Sequence, residues 1–167
     1  MNKMEFAALL AQMAERPVPP LAGRHVYLWH GELAGLQGLA PGGMSIELDL
    51  YTLAAGLPKT PFALDEARRL LQAGIGAWLR YHAPAPGGHQ VVVVTGSSLL
   101  QRYRVTLDAF FQFSTERRPI VFALSRRESE YRPVRPMPDY VDLEPSDTCE
   151  YLRAKLGDHA LIGETNL

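Results

Sequence analysis

An α/β sandwich around a mostly parallel sheet is the fold this sequence predicts, and three observations predict it. Short apolar runs alternate along the chain with stretches of helical period. Two of those runs, Val91-Val92-Val93-Val94 and Ile120-Val121-Phe122-Ala123, are apolar at every position. Glycine and proline punctuate the joints between segments. A strand covered on both faces reads as a continuous apolar run, because neither set of alternating side chains meets water. Strands of that kind alternating with helices lead to three layers, with helices on each side of the sheet. At 167 residues the chain fits one domain, 1–167, able to bury a core without disulfides or metals. Within it we expect an N-terminal helix over 1–15, a core over 22–145 and a C-terminal helix over 146–157.

The elements follow in order. Phe6, Leu9, Leu10 and Met13 recur at helical spacing, so the first segment is an amphipathic helix and not a secretion signal. Arg16-Pro17-Val18-Pro19-Pro20 is a stiff extended connector, since each proline fixes φ and disfavours helix in the residue before it. A strand is expected from His25 to His30. A glycine-punctuated stretch to Gly43 follows, and then a second strand from Ser45 to Leu50 in which Ile46, Leu48 and Leu50 alternate with Glu47 and Asp49. Asp65 is placed to cap a helix carrying Leu64, Ala67, Leu71, Ile75 and Trp78 on one face. Gly74 and Gly76 lie inside that helix at about 1 kcal/mol each, which implies a close neighbour or a bend. Pro84-Ala85-Pro86-Gly87-Gly88 ends it. After the valine run, Leu107, Phe110, Phe111 and Ser114 define a helix, Pro119 to Leu124 a buried strand, and Tyr140 to Leu143 a short strand. Asp147-Thr148-Cys149-Glu150 reads as a capping box for a last helix that stops at Gly157.

Composition narrows the functional classes. The lone cysteine, Cys149, has no partner for an internal disulfide, and no Cys/His cluster has zinc spacing, which points to a reducing cytoplasm. No apolar run reaches the roughly 20 residues that span a bilayer, so no membrane partner is expected. The formal net charge is −1, but it is unevenly spread. Residues 100–135 carry Arg102, Arg104, Arg117, Arg118, Arg126, Arg127, Arg132 and Arg135 and no lysine, whereas the segment from Asp139 onward is acidic.

The ends of two strands are where nucleotide chemistry would stand. A phosphate loop needs glycines that bring backbone N–H groups onto phosphate, a lysine for the β/γ charge and a hydroxyl for magnesium. Here the turn reads Gly31-Glu32-Leu33-Ala34-Gly35-Leu36-Gln37, with a carboxylate and no lysine. Where a strand-end aspartate would hold the metal, the chain has Thr95 followed by Gly96-Ser97-Ser98. The pattern G-x-S-x-G is not met, so a nucleophile turn is not expected and a helix-capping serine is. His30, Glu32 and Asp49 stand near strand ends but satisfy no metal spacing. We therefore assign no catalytic, cofactor or metal residue.

Contact residues are a different matter. Arginine binds phosphate bidentately and stacks on rings, which makes Arg102, Arg104, Arg126, Arg127, Arg132 and Arg135 candidates for a partner or nucleic acid. Tyr131, and Tyr103 beside the first pair, would add stacking surface. Phe113 stands off the apolar stripe of its helix by roughly a third of a turn, as flanking core or as an anchor for a partner.

The stretches Ser45 to Leu57, Gln90 to Gly96, Leu107 to Glu116, Pro119 to Leu124 and Glu130-Tyr131-Arg132 stand in an order that resembles the small P-loop proteins of bacterial phage-exclusion (BREX) defence systems. The resemblance covers much of 22–145. It implies a degenerate P-loop NTPase-like core, because the lysine, the following Ser/Thr and the strand-end acid are all missing. It also implies a non-catalytic accessory or assembly subunit that docks on a larger protein of an antiphage complex. A nucleic-acid module working through the arginines, with DNA as its partner, and a divergent nucleotide binder using backbone amides alone are the alternatives.

Overall fold

A five-stranded, all-parallel sheet in the order β2-β3-β4-β1-β5 organises the chain. The structure is a computed structural model, and it describes residues 1–15, 25–40, 42, 44–57, 63–124 and 145–163. The strands are β1 (Val26–His30), β2 (Ser45–Asp49), β3 (Val91–Thr95), β4 (Ile120–Ala123) and β5 (Leu161–Gly163). The helices are α1 (Lys3–Glu15), α2 (Leu33–Gln37), α3 (Leu50–Ala55), α4 (Leu64–Tyr81), α5 (Ser98–Arg102), α6 (Asp108–Phe113) and α7 (Pro145–Leu156).

Strand alternation sorts the core into two halves. Val26 and Leu28 of β1, Val92 and Val94 of β3, and Ile120 and Phe122 of β4 pack with α3 to α7. Tyr27 and Trp29, Val91 and Val93, Val121 and Ala123, and Ile162 of β5 pack instead under α1 and α2, against Phe6, Leu10, Met13 and Leu36. The division follows from connection handedness. A right-handed crossover puts its helix on a face set by the direction of travel across the sheet. From β1 the chain travels three positions to β2 at the edge, whereas every later step runs the other way. The segment holding α2 therefore lies on one face and those holding α3 to α7 on the other.

Most expected elements are present with shifted ends. The second strand stops at Asp49, because Leu50 already begins α3 and the Asp49 carboxylate caps it, accepting from the Tyr51 N–H at 3.0 Å and the Thr52 hydroxyl at 2.8 Å. Asp65 is not the cap of α4. The helix starts at Leu64 with Ala63 in the cap position, and Asp65 pairs with Arg68 at 3.2 Å in the first turn. The last helix likewise starts at Pro145, so Asp147 lies in its first turn and is not its cap. Gly74 answers the expected close neighbour: a Cβ there would touch Leu57 and Leu53 at 3.6–3.7 Å, an ordinary contact. The strand expected over Tyr140 to Leu143 lies outside the described residues. β5 has no counterpart in the sequence reading. No helix among the described residues is long and apolar enough to cross a membrane.

Candidate functional site at the carboxyl edge of the sheet

In an open parallel sheet, ligands bind beyond the carboxyl ends of the strands, where neighbouring strands send their connections to opposite faces. Here that point lies between β1 and β4. β1 leads to α2 on one face, and β4 leads towards α7 on the other. The residues at the rim are His30, Gly31 and Glu32 after β1, Leu124 after β4, and Gly96, Ser97 and Ser98 after β3.

The turn after β1 is short and already filled. Only Gly31 and Glu32 separate the strand from α2, a helix of 5 residues. The Trp29 indole Nε1 donates to the Glu32 carbonyl at 3.1 Å, and that same oxygen accepts from the Gly35 and Leu36 amides at 3.1 and 3.4 Å. A Cβ on Gly31 would come within 3.3 Å of the indole nitrogen and 3.6 Å of the Lys3 side chain, whose ammonium lies 5.5 Å from the Trp29 ring centroid. The glycines thus accommodate an indole from below. The Glu32 carboxylate, exposed at this rim, is of the wrong sign for phosphate.

β3 ends in a similar plug. Gly96 has φ +74°, and a Cβ there would stand 3.2 Å from the Tyr51 nitrogen and 3.3 Å from its ring. The left-handed conformation and the close ring both call for glycine. Tyr51 reaches over it to Ser98, with the two hydroxyl oxygens 2.6 Å apart in a buried hydrogen bond. Ser97 holds the cap position of α5, but its side chain makes no cap hydrogen bond, so the expected capping serine is not realised. Both serines are buried, which withdraws them from any substrate. Thr95, standing where a strand-end acid would hold metal, donates its hydroxyl to Glu47 of β2 at 3.0 Å. His30 and Asp49 end strands three positions apart, about 14 Å, so they do not converge. No group of three metal-ligating side chains occurs among the described residues.

Arg102 is 5% exposed and Tyr103 is fully buried, so neither presents the contact surface expected of it. Arg104, two residues on, is exposed and has φ +51°. Phe113 is half-buried and packs partly against the core formed with α3 to α7. Arg126, Arg127, Tyr131, Arg132 and Arg135 lie outside the described residues.

Three of the titratable groups that the fold perturbs lie at the other edge of the sheet. Burial, helped by the Arg117 charge, pushes His89 below the usual imidazole value, and burial lowers Arg118. Burial, with Glu116 adding, raises Tyr27. These shifts reflect packing at the amino ends of β1, β3 and β4. What the sequence reading missed is the part played by Trp29, since nothing in the pattern VYLWH-GE says that the indole folds over its own turn. No protein-family model, curated protein or solved structure matches the chain.

Proposed function

We propose that the chain is a non-catalytic assembly domain: a P-loop-like α/β scaffold whose nucleotide position has closed, working as an accessory subunit that docks on a larger protein of an antiphage, phage-exclusion type complex. The observation that carries this reading is the turn after β1, where the Trp29 indole lies against Gly31 and donates to the Glu32 carbonyl, and Glu32 puts a carboxylate where a phosphate loop needs a cation. Its companion is the Tyr51 ring over Gly96. β1 and β3 stand on either side of β4, with the connections after both rising from the same edge. A scaffold that keeps its strands and fills its pocket retains surfaces as its working parts, and exposed arginine and half-exposed phenylalanine are residue types that interfaces favour.

The test is local. With the amides of Gly31 to Gly35 and Gly96 to Ser98 assigned by NMR, millimolar ATP with magnesium is expected to leave them unmoved, with no hydrolysis, while the chain tagged in its own host co-purifies with one larger protein in fixed ratio. Magnesium-dependent shifts at those amides would overturn the closed-pocket reading. Recovery of the chain alone, or DNA binding that falls steeply with salt through counterion release, would replace the assembly role with another.

A further inference from the structure

We infer a second site, for a small aromatic anion, on the helical face between α5, α6 and α7. It shares no residue with the loops at the carboxyl edge and does not depend on the assembly reading. The starting point is a cavity of about 420 Å³, within the range of small-molecule pockets, to which Arg104, Val105, Leu107, Phe111, Tyr151 and Lys155 contribute.

Arg104 is the informative residue. The Val105 N–H donates to the Leu100 carbonyl at 2.8 Å and the Arg104 N–H to the Gln101 carbonyl at 3.2 Å. This pair of bonds is the Schellman arrangement that closes a helix, and it places Arg104 at the left-handed position that glycine normally fills. A side chain there is disfavoured because its Cβ crowds the following carbonyl. Among the described residues Arg104 is the one non-glycine with positive φ. A glycine would close α5 with less strain, so the arginine is explained by what its guanidinium does at the pocket and not by the helix end it forms. Strain held at a single residue beside a cavity is a pointer to function.

The rest of the lining defines the ligand. Lys155 supplies a second cation, its Nζ 5.9 Å from the Tyr151 ring centroid. Neither cation has a carboxylate partner among the described residues. The nearby Asp108 carboxylate is engaged by the Thr106 hydroxyl at 2.8 Å, and Thr106 in turn accepts from Gln72 at 3.3 Å. Tyr151 is tied down at its far end, donating to the Val105 carbonyl at 3.3 Å. The walls are thus formed by Phe111 and Tyr151 with Val105 and Leu107, and two cations, Arg104 and Lys155, stand against the one carboxylate of Asp108, which keeps its charge in its hydrogen bond with Thr106. That set accepts a flat apolar body bearing one phosphate or carboxylate, with the planar guanidinium taking the anion bidentately.

Phenyl phosphate and benzoate are suitable probes, followed by NMR on the whole chain, with inorganic phosphate and benzyl alcohol as controls. Saturable shifts are expected at the amides of Val105 to Leu107 and Tyr151 to Lys155, with at least tenfold weaker binding of both controls. Whichever of the two probes binds more tightly assigns the anion. Arg104→Gly should weaken binding at least tenfold and at the same time raise the melting temperature by about 3 °C, because it relieves the left-handed residue. Arg104→Lys keeps the charge and should bind at an intermediate level. No saturable shift with either probe, equal binding of inorganic phosphate, or an Arg104→Gly variant that binds as well as the parent would each overturn the site.

Discussion

His89 is buried two residues before β3, and neither ring nitrogen has a hydrogen-bond partner among the described residues. An imidazole so placed is held neutral, since charging it would add desolvation and repulsion from Arg117 to an unpaired buried group. The unfolded chain binds that proton more readily, so stability rises with pH through the window below the ordinary value of about 6.5. It is complete above that value and is lost as pH falls from 6.5 towards the lowered folded value. Urea melts at a series of pH values between 5 and 8 should therefore show a decline on the acid side, and His89→Leu should flatten it. An identical decline in the variant would assign the effect to other groups. Gly96 gives a second residue-scale expectation. Alanine there meets both the φ of +74° and the Tyr51 ring, so Gly96→Ala should destabilise by about 2 kcal/mol in a denaturant melt.

α4 shows how much of an element is fixed by its own residues and how much by its neighbours. Its apolar face, Ala67, Leu71, Ile75 and Leu79, is buried as the helical period requires. Gly76 is inside it, and among the described residues a Cβ there would find only the flexible end of Arg80 at 3.7 Å. Nothing in the packing of the described residues asks for glycine. Gly76→Ala should stabilise by about 0.5–1 kcal/mol by restricting the unfolded chain and restoring helix propensity. A loss of stability in thermal melts would show that the helix needs the flexibility. The β1–α2 unit makes the opposite point. Trp29→Phe removes the indole N–H from the Glu32 carbonyl while leaving most of the ring's apolar contacts, so a loss of about 1 kcal/mol is expected. If the indole is what closes the turn, amide exchange at Gly31 to Gly35 should quicken in that variant more than anywhere else.

Across the whole molecule the two core halves differ in thickness. Among the described residues five helices cover one face of the sheet, while the other rests on α1 and the short α2. Phe6 is fully buried there against Tyr27, with ring centroids 5.1 Å apart. Phe6→Ala should cost about 3–5 kcal/mol, a large share of the roughly 5–15 kcal/mol that holds a domain together. Denaturant melts would check the size, and binding of a hydrophobic dye would show whether that face opens. Phe113→Ala, at a half-buried position, should cost less, and its effect on co-purification is then a test of the assembly role that folding does not obscure.

The valine run of β3, the apolar β4 and the helical stripes of α1, α4 and α6 were legible because period and apolarity are local properties. A strand buried on both faces cannot hide its composition, and an amphipathic helix cannot hide its spacing. The missing lysine and the carboxylate at Glu32 were equally plain. Other features depend on residues far apart in the chain, and tertiary packing decided them. β4 is inserted between β1 and β3 because of strand pairing across long connections, and the three residues of β5 form a strand only because β1 offers them an edge. Arg102 looked like its neighbour Arg104 in the sequence. One is buried and the other is exposed at a left-handed helix end that lines a cavity, a difference their shared residue type could not show. The turn after β1 carries the same lesson: its glycines and its missing lysine were plain in the sequence, but only the folded chain shows that the Trp29 indole lies against Gly31 and donates to the Glu32 carbonyl.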